Sequence, residues 1–192
     1  MSAETIALVW QGPFSFGAAG PDSVFVGPAS SASGVYVWAV PTAEGFLIQR
    51  VGGTGKPFWR RHYEHLEAFH RGEYPIHRAA SLAAGRRDPL YRGQLARRLD
   101  SAFPMRRLKL QAQLQGTLSL LAIFLAPLHA GLRVRQRIEA GILQRLRAGG
   151  HHQSVLLDRH RLNFLPHPAE PALRVESVVE QCVHGLAGDF EC

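Results

Sequence analysis

The stretch from Gly34 to Gly72 constrains the fold of this chain more than any other. Gly34–Val40 (GVYVWAV) and Gly45–Val51 (GFLIQRV) are apolar runs rich in β-branched and aromatic side chains, separated by Pro41-Thr42-Ala43-Glu44. Two such runs around a short turn segment specify a β-hairpin. Gly52-Gly53-Thr54-Gly55 is expected to break the second strand, and from Pro57 the residues Phe58, Tyr63, Leu66 and Phe69 recur near helical spacing up to Gly72. The hairpin therefore feeds through a glycine turn into a helix carrying Arg60, Arg61, His62, His65 and His70.

Elsewhere the signals are shorter. Thr5–Trp10 and Ser23–Gly27 read as strands, and Gly17–Pro21 and Pro28–Ser33 as loops. After a loop at Tyr74-Pro75 the chain turns Arg-rich, with helical segments expected around 89–100 and 104–115. Leu118–Leu128 is about half the ~20 residues of a membrane span and contains Ser119 and Pro127, so it reads as a buried strand or short core helix. Gly131–Ala148 is an expected helix, with Leu132, Ile138, Ile142, Leu143 and Leu146 on one side and Gly149-Gly150 as its stop. His151–Pro171 reads as loop and Leu173–Val183 as an alternating strand. With 192 residues, 46% of them apolar, one globular domain with a real core is expected.

Charge narrows the partner. The chain carries 22 Lys+Arg against 15 Asp+Glu, a net +7, and only Lys56 and Lys109 among the cations are lysines. Residues 1–49 hold no cation, whereas 50–109 and 131–161 are strongly basic and 162–192 is acidic. A localised positive footprint suits a phosphate backbone, which releases counterions when neutralised, so nucleic acid is the first partner to consider and a membrane is not expected. An Arg excess in an Ala- and Gly-rich chain is also what a GC-rich genome produces unselected.

Several chemistries are disfavoured. Gly52-Gly53-Thr54-Gly55-Lys56 is not a P-loop, because Arg50 stands where the first Gly is needed and Pro57 where Ser or Thr is needed. His62, His65, His70, His151, His152 and His160 include no helical His-x3-His pair and no nearby cysteine, so surface and helix-face histidines are favoured over a zinc site. No G-x-S-x-G elbow supports a serine hydrolase. Two cysteines, Cys182 and Cys192, form no disulfide framework, and no signal peptide is legible, which points to a reducing cytoplasm.

What remains is a sparse ordered set: Gly34-Val35-Tyr36, then Arg50-Val51-Gly52, then Gly53-Thr54-Gly55-Lys56-Pro57-Phe58 with Arg61 and His65, Arg137-Ile138-Glu139-Ala140 on the later helix, and Leu162-Asn163. In order and context, across residues 34 to 163, this set resembles the GIY-YIG nuclease family. The resemblance implies an α+β fold, a small three-stranded antiparallel sheet flanked by helices, with extra N-terminal strands (1–33), a domain over 34–165 with an Arg-rich helical insertion at about 74–110, and a C-terminal extension (166–192). It also implies hydrolysis of DNA phosphodiester bonds with one divalent cation, Mg2+ or Mn2+. Tyr36 would be the general base or water-positioning phenol, Arg61 the phosphate clamp, Glu139 the metal ligand, and His65 and Asn163 supporting groups.

Physical chemistry fits these roles, because phosphoryl transfer needs positive charge on the non-bridging oxygens and a positioned nucleophile. Tyrosine ionises near 10, so Arg61, Lys56 and the metal would have to stabilise its phenolate. The chain departs from the motif at Arg50, where a second tyrosine is expected; arginine there could lower the Tyr36 pKa or grip phosphate, but cannot transfer a proton. Arg60 rivals Arg61, which is preferred because His65 follows it by one turn. Arg86, Arg87, Arg97, Arg98, Arg106 and Arg107 are candidate backbone contacts with Arg60. Tyr36 could equally pack in a sheet, Glu139 pair with Arg135 and Asn163 hold a turn. The alternatives are a nucleic-acid-binding module without turnover and a subunit whose Arg-rich segment contacts an acidic protein. Cutting both strands would call for a homodimer, and specificity for the 74–110 insertion or a protein partner.

Overall fold

A computed structural model describes residues 4–17, 20–93, 103–158 and 170–192. In chain order the elements are β1 (Glu4–Val9), β2 (Gln11–Phe14), α1 (Pro28–Ser31), β3 (Gly34–Thr42), β4 (Gly45–Thr54), α2 (Phe58–His70), β5 (Ile76–His77), α3 (Ala79–Ala83), β6 (Pro89–Tyr91), α4 (Phe103–Leu120), β7 (Ala122–Pro127), α5 (Leu132–Ala148), α6 (His151–Ser154), β8 (Leu173–Val178) and β9 (Phe190–Glu191). The protein is mixed α+β, and among the described residues no helix is long and apolar enough to cross a membrane.

The expected hairpin is the centre of the main sheet, whose strand order is β2-β7-β3-β4. Strands β3 and β4 pair antiparallel with Tyr36 opposite Gly52 and Trp38 opposite Arg50, and a register shift beyond Trp38 leaves Gln49 as an extra residue in β4. The glycines do not end the second strand: Gly52 and Gly53 keep their pairing with Tyr36 and Val35, and β4 runs on to Thr54. Strand β7 lies antiparallel on the other side of β3. The three expected strands are thus present, and β2 adds a fourth beside β7. A second sheet joins the two ends of the chain, because β1 pairs parallel with β8, and β9 closes on β8 antiparallel.

Side chains alternate across β3, so the sheet divides the core into two layers. Val35, Val37, Ile48, Val51 and Phe124 face Ile138, Ile142 and Leu143 of α5. Tyr36, Trp38, Ile123 and Leu125 face the other way, with Phe58 and Phe69 of α2 and Leu114 of α4. The candidate phenol and the candidate metal ligand therefore start from opposite sides of one sheet.

Several local expectations are corrected. Ser23–Gly27 is not a strand; only an isolated bridge joins Ser15 and Ser23, and Pro28 then starts the single turn of α1. Pro89–Tyr91 is strand rather than helix, paired with β5, and most of the 89–100 segment lies outside the described residues. The helix expected at 104–115 is longer and ends inside the Leu118–Leu128 run, whose first three residues finish α4 and whose 122–127 stretch is β7. A helical turn occupies 151–154, and β8 stops at Val178. On α2 the buried stripe is Phe58, His62, His65 and Phe69, while Tyr63 is exposed.

Candidate active site

Tyr36 comes from the central strand and is 2% exposed. A Cβ added at Gly52, its cross-strand partner, would fall 2.5 Å from Tyr36 Cζ and still closer to Oη, so the hydroxyl occupies the space the glycine leaves open. Gly53 N–H donates to Glu139 Oε2 at 3.1 Å. The two consecutive glycines of β4 thus receive Tyr36 from one side of the sheet and Glu139 of α5 from the other.

Helix α2 supplies the rest. Tyr36 Oη is 2.6 Å from His65 Nε2, and His65 Nδ1 is 2.7 Å from Tyr74 Oη. His62 and His65 are 0% and 1% exposed, against the expectation of surface histidines. His62 Nδ1–H donates to the Phe58 carbonyl at 2.8 Å, and the His62 ring packs edge-on against Tyr36 with centroids 4.8 Å apart. Burial lowers the His62 pKa from 6.5 to about 4 despite that hydrogen bond, so this ring is neutral. It is a packed core histidine.

Arg61, not Arg60, stands beside Tyr36, and its charge favours the phenolate. Its Nη1 donates to Glu64 at 3.3 Å, while its Nε is buried with no protein partner. Lys56 Nζ reaches Glu64 Oε1 at 2.6 Å and Arg60 Nε lies 4.0 Å from the same oxygen. Three cations therefore crowd one carboxylate at the rim, leaving local positive charge unbalanced.

Arg50 is enclosed rather than presented. It is 5% exposed, donates from Nη2 to Asp158 Oδ2 at 3.0 Å, and lies over the rings of Trp38 and Tyr74 at 4.8 and 4.2 Å. Its charge favours the Tyr36 phenolate, and its guanidinium is engaged by Asp158 and the two rings. Burial nevertheless dominates and pushes the Tyr36 pKa above 10, against both arginines. Burial likewise raises the Glu139 carboxyl, opposed by the Gly53 N–H and the charges of Arg61 and Arg50.

The remaining candidates scatter. Arg87 donates to the Leu157 carbonyl at 2.7 Å and to Asp158 at 3.4 Å, so it clasps the fold. Arg86, Arg106 and Arg107 are exposed, the latter two on α4 beside exposed Met105 and Leu108. Arg97, Arg98, Asn163 and His160 lie outside the described residues. Arg135 does not serve Glu139; its guanidinium donates to the Ala130 carbonyl and borders Gly55. Tyr74 and Asp158 were not legible as site residues, because both sit in connecting segments and reach the site only through contacts distant in sequence.

Among the described residues no group of three or more His, Cys, Asp or Glu is placed to share a metal ion. Glu139 Oε2 takes the Gly53 N–H, and the carboxylate keeps further lone pairs for a cation. A single carboxylate completed by water and a substrate phosphate is a coordination that suits Mg2+. Comparison of the chain with protein-family models, with curated proteins and with solved structures finds no match in any of the three.

Proposed function

We propose that this protein is a metal-dependent endonuclease that hydrolyses DNA phosphodiester bonds in the manner of the GIY-YIG family its motif run resembles. The observation that carries the reading is the meeting of Tyr36, Arg61 and Glu139 at the Gly52-Gly53 step of β4. Arg61 has an unpartnered buried Nε–H to give to a non-bridging phosphate oxygen. Charge so placed stabilises the transition state more than the ground state. Tyr36 at rest is a neutral phenol hydrogen-bonded to His65, and it takes the attacking water's proton once its own has left toward His65. Lys56 adds positive charge at the mouth, and Arg60, Arg86, Arg106 and Arg107 are exposed where a backbone can be held. Asn163 belongs to this set on the motif resemblance alone. A divalent cation on Glu139, Mg2+ or Mn2+, would neutralise phosphate charge and ease ionisation of the attacking water.

A second reading is favoured by one specific observation. Arg50, at the position of the second motif tyrosine, lies against the rings of Trp38 and Tyr74 and cannot transfer a proton, which suits a nucleic-acid-binding module without turnover. Nicking of supercoiled plasmid with Mg2+ or Mn2+ separates the two. Cleavage that falls at least about 100-fold in Tyr36→Phe, Arg61→Ala and Glu139→Gln supports the endonuclease. Salt-dependent binding with no nicking by the wild type supports the module, and nicking untouched by all three substitutions overturns the assignment of the site. Cutting both strands then requires a second copy of the chain or a second encounter.

A further inference from the structure

Tyr36 poses a problem for any chemistry that uses its hydroxyl. It is 2% exposed and enclosed by His62 and His65 of α2 and by Gly52 of β4, with the charges of Arg61 and Arg50 close by, so a proton it takes up has no direct way to bulk solvent. An exit exists. His65 is itself buried, but its two ring nitrogens are spent on two phenols: Nε2 on Tyr36 Oη at 2.6 Å and Nδ1 on Tyr74 Oη at 2.7 Å. Tyr74 lies at the far end, only partly buried, in the segment after α2. Its ring is held in place on one side by the Arg50 guanidinium, 4.2 Å away and fixed by Asp158, and on another by Phe69, with centroids 5.0 Å apart.

We infer that Tyr36, His65 and Tyr74 form a proton relay, with Tyr74 the outlet through which the buried phenol exchanges its proton with solvent. The inference rests on the endonuclease reading for its use in turnover, though not for its existence. In the resting state Tyr36 O–H donates to His65 Nε2, and His65 Nδ1–H donates to Tyr74 Oη. Transfer moves the Tyr36 proton to Nε2, the Nδ1 proton to Tyr74, and the Tyr74 hydroxyl proton to water. His65 changes tautomer and carries no net charge before or after. One proton has left for solvent and the electron pair stays on Tyr36 as phenolate, which faces the charges of Arg61 and Arg50. The phenolate then takes a proton from the attacking water and gives it to the leaving oxygen, and the relay runs backward from solvent through Tyr74 and His65 to restore the Tyr36 hydroxyl and the Nδ1–H tautomer.

This also assigns Arg50 a task. It holds a phenol it does not itself contain, bringing Tyr74 to the nitrogen that Tyr36 does not use. Two neutral phenols on one imidazole fit a relay better than a static anchor, because both tautomers keep both hydrogen bonds.

The test uses the full-length protein with tyrosine labelled at the ring Cζ, where the deuterium isotope shift reports how fast the Tyr36 hydroxyl exchanges with solvent. Tyr74→Phe keeps the ring that packs on Arg50 and removes only the hydroxyl. His65→Gln keeps a hydrogen bond to Tyr36 but cannot pass a proton between two nitrogens. Both are expected to slow Tyr36 exchange at least tenfold, and Tyr74→Phe to lower plasmid-nicking kcat about tenfold with KM unchanged. Melting temperature of Tyr74→Phe is measured alongside, since a merely structural role would move that quantity and leave exchange alone. Unchanged exchange in Tyr74→Phe overturns the relay even if the wild type nicks DNA. Slowed exchange in Tyr74→Phe beside a wild type that never nicks keeps the relay and removes the endonuclease.

Discussion

Glu139 is the residue on which function and stability pull hardest against each other. It reaches a half-buried position at Gly53, where burial raises its carboxyl pKa above the ordinary 4.5. Below about pH 4.5 it is protonated in both folded and unfolded chains and costs nothing. As pH rises past that point the unfolded carboxyl ionises first, so the folded state loses stability until the pH exceeds the folded value. At pH 7 the charged Glu139 is therefore a burden that the Gly53 N–H and, at longer range, Arg61 and Arg50 offset only in part and that a bound cation would relieve. Glu139→Gln keeps an acceptor for the Gly53 N–H and removes the charge. It is expected to abolish nicking and to stabilise the protein at pH 7 by about 1 kcal/mol, a rise of roughly 2–4 °C in melting temperature. At pH 4 the gain should vanish, and Mg2+ or Mn2+ should raise the melting temperature of the wild type but not of the variant. Thermal melts at the two pH values, with and without metal, check all three. A variant less stable than the wild type at pH 7 would show that Glu139 is a structural anchor.

At the scale of elements, the sequence showed the hairpin and α5 plainly and hid what lies between them. Strands β3 and β4 are legible because β-branched and aromatic runs meet a short turn, and α5 because its apolar positions recur at helical spacing. The glycines of β4 misled because glycine normally weakens strands. Here Gly52 is kept for the room it leaves: any side chain would enter the space of the Tyr36 hydroxyl. The inward face of α2 misled because Tyr63 looks more apolar than His62 and His65. Both histidines find hydrogen bonds inside an aromatic cluster that includes Phe16, Tyr36 and Trp38, which offsets part of the cost of burying them, while His62 Nε2 is left without a partner. Tyr74 and Asp158 were invisible because Arg50 meets Asp158 across 108 positions of sequence. From this follows a sharp comparison. Gly52→Ala is expected to displace the Tyr36 ring, costing about 1–3 kcal/mol of stability and most of the nicking activity. Gly53→Ala meets Arg135 Cβ at 3.3 Å, a contact the helix can yield to, and should lose far less of both. Urea melts and nicking rates of the pair measure it, and equal losses would dissociate the glycine step from the site.

For the whole molecule, the net charge of +7 overstates what the surface offers a polyanion. Arg50 and Arg87 converge on Asp158, Arg133 on Glu170 and Arg174 on Asp189. Arg137 donates to the carbonyls of Pro171 and Cys192, and Arg145 to those of Ala187 and Gly188, so these side chains bind α5 to the C-terminal segments. Much of the arginine excess therefore fastens the chain to itself. The exposed remainder includes Lys56 and Arg60 at the site and Arg86, Arg107 and Lys109 elsewhere. Counterion release distinguishes the two populations, because only a cation that touches a phosphate contributes to the salt dependence of binding. Arg60→Ala and Arg107→Ala are expected each to lower the slope of log Kd against log salt by about 1 while leaving stability within about 0.5 kcal/mol. Arg87→Ala should do the reverse: an unchanged slope, with stability falling by about 1–3 kcal/mol as Asp158 loses a partner and the Leu157 carbonyl a donor. Glu64→Gln, which releases Lys56 and Arg61 from their shared carboxylate, should steepen the slope and tighten binding. DNA titrations at several salt concentrations, beside urea melts of the same variants, decide the matter. If Arg87→Ala flattens the slope as much as Arg60→Ala, the internal clasp is also part of the DNA surface and the division of charge drawn from Asp158 fails.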